Sequence, residues 1–309
     1  MLIGHQKQWE FLKKTFDSGK LPHSLLFQGQ EQIGKKTLAL EFAKYLNCEK
    51  KDGKPCHECR SCQDIQNNRY PDLILIEPRD KEIQISQIRD LSWQLSLKPY
   101  FSNLKIAIID NAHLMNQEAQ NCFLKTLEEP KGNSLLILIT EYPELLFSTI
   151  LSRVQKIKFF PVRPEEIEIY LKKQGCSLEK IKEISRFSFG RPGRVNDFLE
   201  DPPKLENYKE KIKEILKISN SNLGFRLQYA KNLAEDPVAV KNTLEVWLRF
   251  FRGALLNSIA SNPASVKGFN NYSTQKIKKI IENLQKISYW ISNTNTNTRL
   301  ALEILMLDF

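Results

Sequence analysis

The sequence lacks the segments that carry a chain into or across a membrane. None of its apolar runs approaches the roughly 20 residues that a helix needs to span a bilayer. The N-terminus has no hydrophobic signal-peptide core, and no internal repeat is visible. We therefore expect a cytoplasmic protein with no membrane partner.

Length and composition indicate a multidomain globular protein. With 309 residues the chain is too long for one ordinary core, so two or three domains are predicted. The hydrophobic fraction of 41% and the charged fraction of 27% are typical of globular chains. A net charge of +10 favours polyanionic partners, but the lysines alternate with glutamates along helical stretches, so solvated helix faces remain an alternative.

Cysteine is scarce outside one cluster. Cys48, Cys56, Cys59 and Cys62 follow the spacing C-x7-C-x2-C-x2-C. Because no export signal is present, disulfides are not expected, and a tetrathiolate zinc site is the physical alternative. An iron–sulfur cluster or a set of unmetallated thiols remains open.

A phosphate-binding loop is indicated near the N-terminus, where a short apolar strand, a loop bounded by Gly29 and Gly34, and a helix opening at Lys35 follow one another. In such a loop the backbone N–H groups and the helix N-terminus face an anion, and the lysine reaches the outer phosphates. The Ser or Thr that the strict pattern has directly after the lysine is missing. Lys36 stands there, and Thr37 lies one residue late, roughly 100° further round the helix. Taken alone, the pattern fits a nucleotide site or a glycine-containing turn.

A second feature of nucleotide sites is also incomplete. The apolar strand predicted at 105–110 ends in Asp110, where P-loop enzymes hold Mg²⁺ through water. Many of them follow this aspartate with a glutamate that activates the attacking water. Here Asn111 follows, and an amide can orient a water molecule but cannot take its proton. Asp110 could instead simply cap the next helix. The presence of a P-loop earlier in the same chain disfavours this alternative.

The order of predicted strands and helices divides the chain into an α/β part and a helical part. Strands alternating with helices, the fifth strand being predicted at Lys156–Phe160, indicate a parallel α/β sheet. From Pro161 short helices replace strands, and Asp-Pro-Pro at 201–203 is the best linker signal. Beyond it, apolar stripes at helical spacing predict core or subunit-interface helices.

Together these motifs resemble the bacterial clamp-loader subunits of the AAA+ class, and among them the δ′ subunits of DNA polymerase III. The motifs are the P-loop, the four cysteines, Asp-Asn-Ala-His at 110–113, Leu-Lys-Thr-Leu-Glu-Glu-Pro at 124–130, Thr-Ile-Leu-Ser-Arg at 149–153 and Gly-Arg-Pro-Gly-Arg at 190–194. The resemblance covers the first 200 residues, and the helical tail is similar in layout. It implies an AAA+ P-loop domain at 1–162 with a zinc module at about 48–62, a small helical lid domain at 163–203 and an all-α collar domain at 204–309.

The resemblance also implies roles for single residues. Lys35 matches the Walker A lysine, Asp110 the Walker B aspartate and Arg194 the second sensor arginine, while Thr140 lies near the first sensor position. Arg153 matches the arginine finger, which acts on the ATP of a neighbouring subunit. The residues implied for nucleotide binding are Gly29, Gly34, Lys35, Lys36, Thr37, Asp110, Thr140 and Arg194.

Two departures from the family's motor subunits, γ and τ, guide the interpretation. Those subunits have Lys-Thr in Walker A and Asp-Glu in Walker B, whereas this chain has Lys-Lys and Asp-Asn. We therefore interpret it as a non-hydrolysing part of the DNA polymerase III holoenzyme. We expect it to work with γ/τ and δ subunits to load a sliding clamp onto primer–template DNA, with structural Zn²⁺ and with ATP or ADP binding left open.

Two other interpretations remain. One is an active AAA+ ATPase motor of a clamp loader or a related remodeller, which needs a base other than Asn111. The other is a zinc-dependent nucleic-acid-binding module with a vestigial P-loop. No aromatic residue lies between Cys48 and Cys62 to stack on bases, which disfavours the second.

Overall fold

The chain forms two compact units, Met1–Asn196 and Asp197–Phe309. The computed structural model describes residues 2–50, 52–101, 104–130, 132–259, 272–294 and 296–309, with residues 256–259 and 292–293 described by their backbone alone. The finer division of the chain into three domains stays a prediction.

The first unit is built on a sheet of five parallel strands. They are β1 (Ser24–Gln28), β2 (Leu73–Ile76), β3 (Lys105–Ile109), β4 (Ser134–Thr140) and β5 (Gln155–Lys158). Their spatial order is β2-β3-β4-β1-β5, and every neighbouring pair is parallel. The predicted α/β class with a parallel sheet is confirmed.

Helices cover both faces of this sheet. They are α1 (Gln6–Asp17), α2 (Lys35–Asn47), α3 (Arg60–Gln66), α4 (Ile85–Ser96), α5 (Gln117–Glu128) and α6 (Ser148–Leu151). Three more helices follow the last strand, namely α7 (Pro164–Lys173), α8 (Leu178–Ser188) and α9 (Pro192–Glu200), the last of which runs on into the second unit. Along β1, Leu26 packs with residues of α4 and α5, whereas Leu25 and Phe27 pack with residues of α1 and α2. Alternate side chains of one strand thus feed two hydrophobic cores.

Burial on both faces explains the apolar composition of the central strands. Every residue of β3 and β4 is buried, as is typical of parallel strands covered by helices. The edge strand β5 differs, because only Ile157 of its four residues is buried. Its apolar pattern is correspondingly weak, and it ends at Lys158 rather than at the predicted Phe160.

The parallel arrangement brings the strand ends with functional residues to one edge. Gln28 lies opposite Thr140 in the register of β1 and β4. The N–H of Gly29 donates to the carbonyl of Thr140 at 3.1 Å, and the N–H of Asp110 donates to the carbonyl of the last residue of β2 at 2.9 Å. The P-loop, Asp110 and Thr140 therefore share the carboxyl edge of the sheet.

The second unit is helical in its described residues. Its helices are the end of α9, α10 (Pro202–Ser219), α11 (Leu223–Leu233), α12 (Pro237–Ile259), α13 (Thr274–Asn293) and α14 (Thr298–Met306). Helix α12 packs on α13, and α11 packs on α14. The rings of Trp247 and Phe251 both contact Phe309, so the predicted apolar stripe of α12 lies in the core. In the part of the chain that the structure describes, no helix has the length and apolarity needed to cross a bilayer.

Candidate functional site

The P-loop connects β1 to α2, and glycine is required at both of its ends. Gly29 has a φ of 158°, and a Cβ there would lie 2.7 Å from the carbonyl oxygen of Phe159. Gly34 has a φ of 100° and directly precedes α2. That conformation is unfavourable for residues with a Cβ, so the two glycines predicted from the sequence are set by backbone geometry.

Lys35 is the buried cation of this loop. Its side-chain Nζ donates to the carbonyls of Gly29 and Gln30, each at 2.6 Å, and the residue is only 7% exposed. Burial lowers its pKa to about 8, against the nearby charges of Glu141 and Asp110, which favour the ammonium. The lysine is therefore a cation at neutral pH that is costly to keep buried.

Lys36 lies between two carboxylates at the ends of neighbouring strands. Its ammonium bonds to Glu77, which follows β2, and lies 3.4 Å from Oδ2 of Asp110, which follows β3. Burial alone lowers the pKa of Lys36, but the hydrogen bond to Glu77 and the charge of Asp110 outweigh it and raise the pKa above its usual value. The lysine is thus firmly protonated.

This arrangement does not fit a magnesium ion. In P-loop enzymes the hydroxyl after the P-loop lysine and the Walker B aspartate hold the metal. Here the first of these positions is Lys36, and its ammonium already pairs with the second, Asp110. Thr37, on the next position of α2, is exposed. The sequence pattern missed Glu77, although an acidic residue directly after the apolar run of β2 was a usable signal.

Asp110, Thr140 and His113 also lie at the carboxyl edge of the sheet. Oδ1 of Asp110 accepts the N–H of Asn111 at 3.0 Å, and Asn111 has a left-handed φ of 51°. The hydroxyl of Thr140 accepts the N–H of Tyr142 at 3.1 Å and lies 3.2 Å from Nδ1 of His113. Burial and the charge of Lys35 lower the pKa of His113. The sequence shows His113 only as part of the motif at 110–113 and gives no sign of its contact with Thr140.

The Gly-Arg-Pro-Gly-Arg motif packs directly on the P-loop. The N–H of Gly193 donates to the carbonyl of Gln32 at 2.8 Å, and Nη2 of Arg191 donates to Oε1 of Gln30 at 2.9 Å. Arg194, the predicted sensor, is buried on the same turn. The motif therefore does meet the loop, and Arg191 is a further arginine at this site that the sequence did not single out.

Arg153 lies at the amino ends of the strands, opposite the P-loop. It follows α6, and its backbone carbonyl accepts the hydroxyl of Ser24, the first residue of β1, at 2.7 Å. Its guanidinium pairs with Glu128 at 2.9 Å and donates to the carbonyl of Thr149 at 3.0 Å. The two ends of β1 are roughly 13 Å apart at about 3.3 Å per residue, so Arg153 is remote from the P-loop of its own chain.

The four clustered cysteines converge at the far end of α2. Cys48 directly follows that helix and Cys62 lies in α3, with Cys56 and Cys59 in the loop between. Their sulfur atoms all lie within 4.8 Å of one another. Zn–S bonds of about 2.3 Å in a tetrahedron separate the sulfurs by about 3.8 Å, so the group could hold a metal ion with little movement.

The thiols differ in how easily they ionise. Backbone N–H groups of Cys59 and Glu58 lower the pKa of Cys56 to about 6, and the N–H of Cys59 lies 3.3 Å from its sulfur. Burial raises the pKa of Cys62. A bound cation favours thiolates at all four positions.

The buried charge of Lys35 leads to a pH prediction. A lysine whose pKa falls from 10.5 to about 8 on folding binds its proton less tightly in the native state. Between these values the unfolded chain holds more protons, so the stability of the wild type relative to Lys35→Met rises with pH. Over the whole interval the gain is at most roughly 3 kcal/mol. Urea unfolding of both proteins at pH 7.5, 8.5 and 9.5 measures it, and a difference that does not change with pH contradicts the assignment.

Comparisons with known proteins find subunits of DNA polymerase III. The family described as "DNA polymerase III, delta subunit" matches residues 4–163. The chain is 37% identical over 168 residues to DNA polymerase III subunit delta′ of Bacillus subtilis strain 168, an alignment that covers 54% of this chain and 51% of that protein. It is 29% identical over 331 aligned positions to DNA polymerase III subunit gamma of Buchnera aphidicola subsp. Schizaphis graminum, covering 99% and 87%.

A solved structure shares the fold. The crystal structure of a DNA polymerase III, gamma subunit-related protein from Thermotoga maritima superposes with a TM-score of 0.59 at 20% identity, over 97% of both chains. The chain spans only about half the length of the B. subtilis relative. The match to the family nevertheless covers more than half of the 309 residues, which confirms the resemblance drawn from the motifs. The chain belongs to the DNA polymerase III delta-subunit family, among the AAA+ clamp-loader subunits.

Proposed function

We propose that this chain is a non-hydrolysing, δ′-type subunit of a bacterial clamp loader and works in the cytoplasm. In this role it joins γ or τ and δ subunits in a ring that loads a sliding clamp onto primer–template DNA. It supplies Arg153 to the ATP site of the adjoining subunit. The observation that supports the proposal most is the pairing of Lys36 with Asp110 and Glu77.

That pairing disfavours the metal that ATP hydrolysis needs. Near a protein surface, two unit charges 4 Å apart interact by about 4 kcal/mol, and the figure doubles for a divalent ion. A magnesium ion beside Asp110 has to overcome this repulsion from Lys36 and displace its ammonium. Asn111 adds a second obstacle, because it cannot take a proton from the attacking water.

The position of Arg153 supports a role towards a neighbour. Its backbone is held at the amino end of β1, whereas the P-loop follows the carboxyl end. The guanidinium is partly exposed, so a second subunit can reach it. In comparable enzymes, an arginine finger contributes about 10³–10⁵ to the rate of phosphoryl transfer.

The remaining residues take supporting roles in the proposal. Gly29, Gly34 and Lys35 form the phosphate cradle, and Thr140 and Arg194 flank it. The four cysteines hold structural zinc. Residues 163–203 act as the lid and residues 204–309 as the collar that binds the other subunits.

A second candidate is an active ATPase motor subunit. The alignment with the Buchnera gamma subunit favours it, because it extends over 99% of this chain, further than the alignment with the delta′ relative. The two candidates differ in what the isolated chain does with ATP.

The first test is ATP turnover by the isolated chain. With Lys36 at the metal position and Asn111 at the base position, we expect phosphate release in Mg²⁺ to equal that of Lys35→Ala. Steady turnover that needs Mg²⁺ and is lost in Lys35→Ala favours the motor-subunit candidate instead.

The second test concerns Arg153→Ala in the reconstituted complex. A half-exposed ion pair such as that with Glu128 contributes less than about 1 kcal/mol, so folding and assembly are expected to be unchanged. Because the guanidinium stabilises charge in the transition state, DNA-stimulated ATP hydrolysis falls in part and clamp loading falls further. Arg153→Lys does not rescue the loss, since an ammonium lacks the fork geometry.

The control for this test is Arg60→Ala, which removes another exposed arginine in an ion pair, with Asp64. Its complex is expected to keep the full rate. The decisive measurement is the ATPase rate at matched complex concentration, and equal rates for Arg153→Ala and wild type mean that Arg153 is a surface charge only.

The third test is metal content. We expect about one zinc per purified chain, because four thiolates form a closed structural site. Cys59→Ala is expected to lose the metal and loosen the segment around α3, while the sheet survives. Cys176→Ala, outside the cluster, is expected to retain the metal. Elemental analysis that finds iron, or no metal in a well-folded sample, rules zinc out.

A further inference from the structure

Lys36 is the part of the P-loop site whose role the proposed function leaves undefined. Its ammonium lies in contact with Asp110 and Glu77, carboxylates that follow two adjacent strands of the sheet. P-loop proteins hold Mg²⁺ beside the phosphates from the position of Asp110 and from that of Lys36 itself. The ammonium of Lys36 therefore places a positive charge, as part of the chain itself, where other P-loop proteins bind a metal ion.

The ammonium has room for a ligand. A lysine carries three donors, and Glu77 and Asp110 account for two of them among the contacts of the described residues. The side chain is 37% exposed, so the third donor is within reach from solvent. Lys35 is similar, because two loop carbonyls take two of its three donors.

Other features of the loop also suit phosphate. The N-terminus of α2, a helix of 13 residues, begins directly at Lys35, and Gly34 before it lets the backbone approach an anion closely. Arg191 is bonded to Gln30 of the loop, and Arg194, three residues later, is buried. Four cationic side chains thus lie at or beside one glycine-bounded loop.

Two carboxylates also lie at this loop, Glu31 within it and Glu141 directly after Thr140 at the end of β4. The charges of Glu141 and Glu31 both act on Lys35, and burial together with the nearby charge of Glu31 raises the pKa of Glu141. A third phosphate brings more negative charge to this region with no metal to offset it. The site therefore favours a diphosphate over a triphosphate.

We propose that this P-loop binds a nucleoside diphosphate free of divalent metal, with the Lys36 ammonium in the place of Mg²⁺. The inference deepens the proposed function, on which it rests only for the identity of the site. It concerns binding, whereas the proposed loss of hydrolysis concerns turnover. Each can fail without the other.

The experiment is calorimetric titration of the full chain with ADP, once in EDTA and once in excess Mg²⁺. We expect the wild type to bind ADP in EDTA with a Kd within about twofold of that in Mg²⁺. Lys36→Thr, which restores the hydroxyl, is expected to bind at least about tenfold more weakly in EDTA and to recover when Mg²⁺ is added. Recovery in Mg²⁺ also shows that this variant is folded.

Lys14→Thr is the matched control, since it removes one exposed lysine of α1 and leaves the loop intact. It is expected to bind ADP as the wild type does in both conditions. The proposal is overturned if the wild type does not bind ADP in EDTA at millimolar concentration, if it requires Mg²⁺, or if Lys36→Thr binds equally well in EDTA. Mg²⁺-dependent turnover of ATP instead contradicts the proposed function.

Discussion

The candidate nucleotide site depends on one constraint, the parallel alignment of strands that are buried on both faces. Such strands hold apolar side chains along their length, so functional polar groups are confined to the strand ends. Because all five strands run the same way, their carboxyl ends meet at a single edge. Glu77, Asp110 and Thr140 arrive there from three different strands, and the P-loop leaves from a fourth.

The parts of this site that the sequence predicts are those set by local chemistry. Gly29 and Gly34 are required by backbone conformations that the loop imposes within a few residues. The strand that ends before Asp110 is recognisable because β3 is apolar throughout. The cysteine spacing likewise reflects a short loop between two helices. In each case the physical cause lies within the segment itself, so a pattern in the segment is enough to find it.

The contacts that escaped prediction join segments far apart in the chain. The contact between Glu77 and Lys36 depends on the order of the strands in the sheet. The sequence of a single segment does not determine that order. Arg191 donates a hydrogen bond to Gln30, although 161 residues separate them in the chain. The limits of β5 were misjudged for another reason. An edge strand with one buried residue leaves little hydrophobic pattern, and the buried Phe159 beyond it packs on Phe27 outside the ladder.

The attachment of Arg153 to β1 has a mechanical consequence. The strand has the P-loop at one end and, through the hydroxyl of Ser24, the backbone of Arg153 at the other. Parallel ladders to β4 and β5 hold it on both sides, so it resists bending and stretching. Within this unit, β1 therefore acts as a stiff rod between the backbone of Arg153 and the P-loop. A displacement at one end of the strand is then transmitted to the other end with little loss of amplitude.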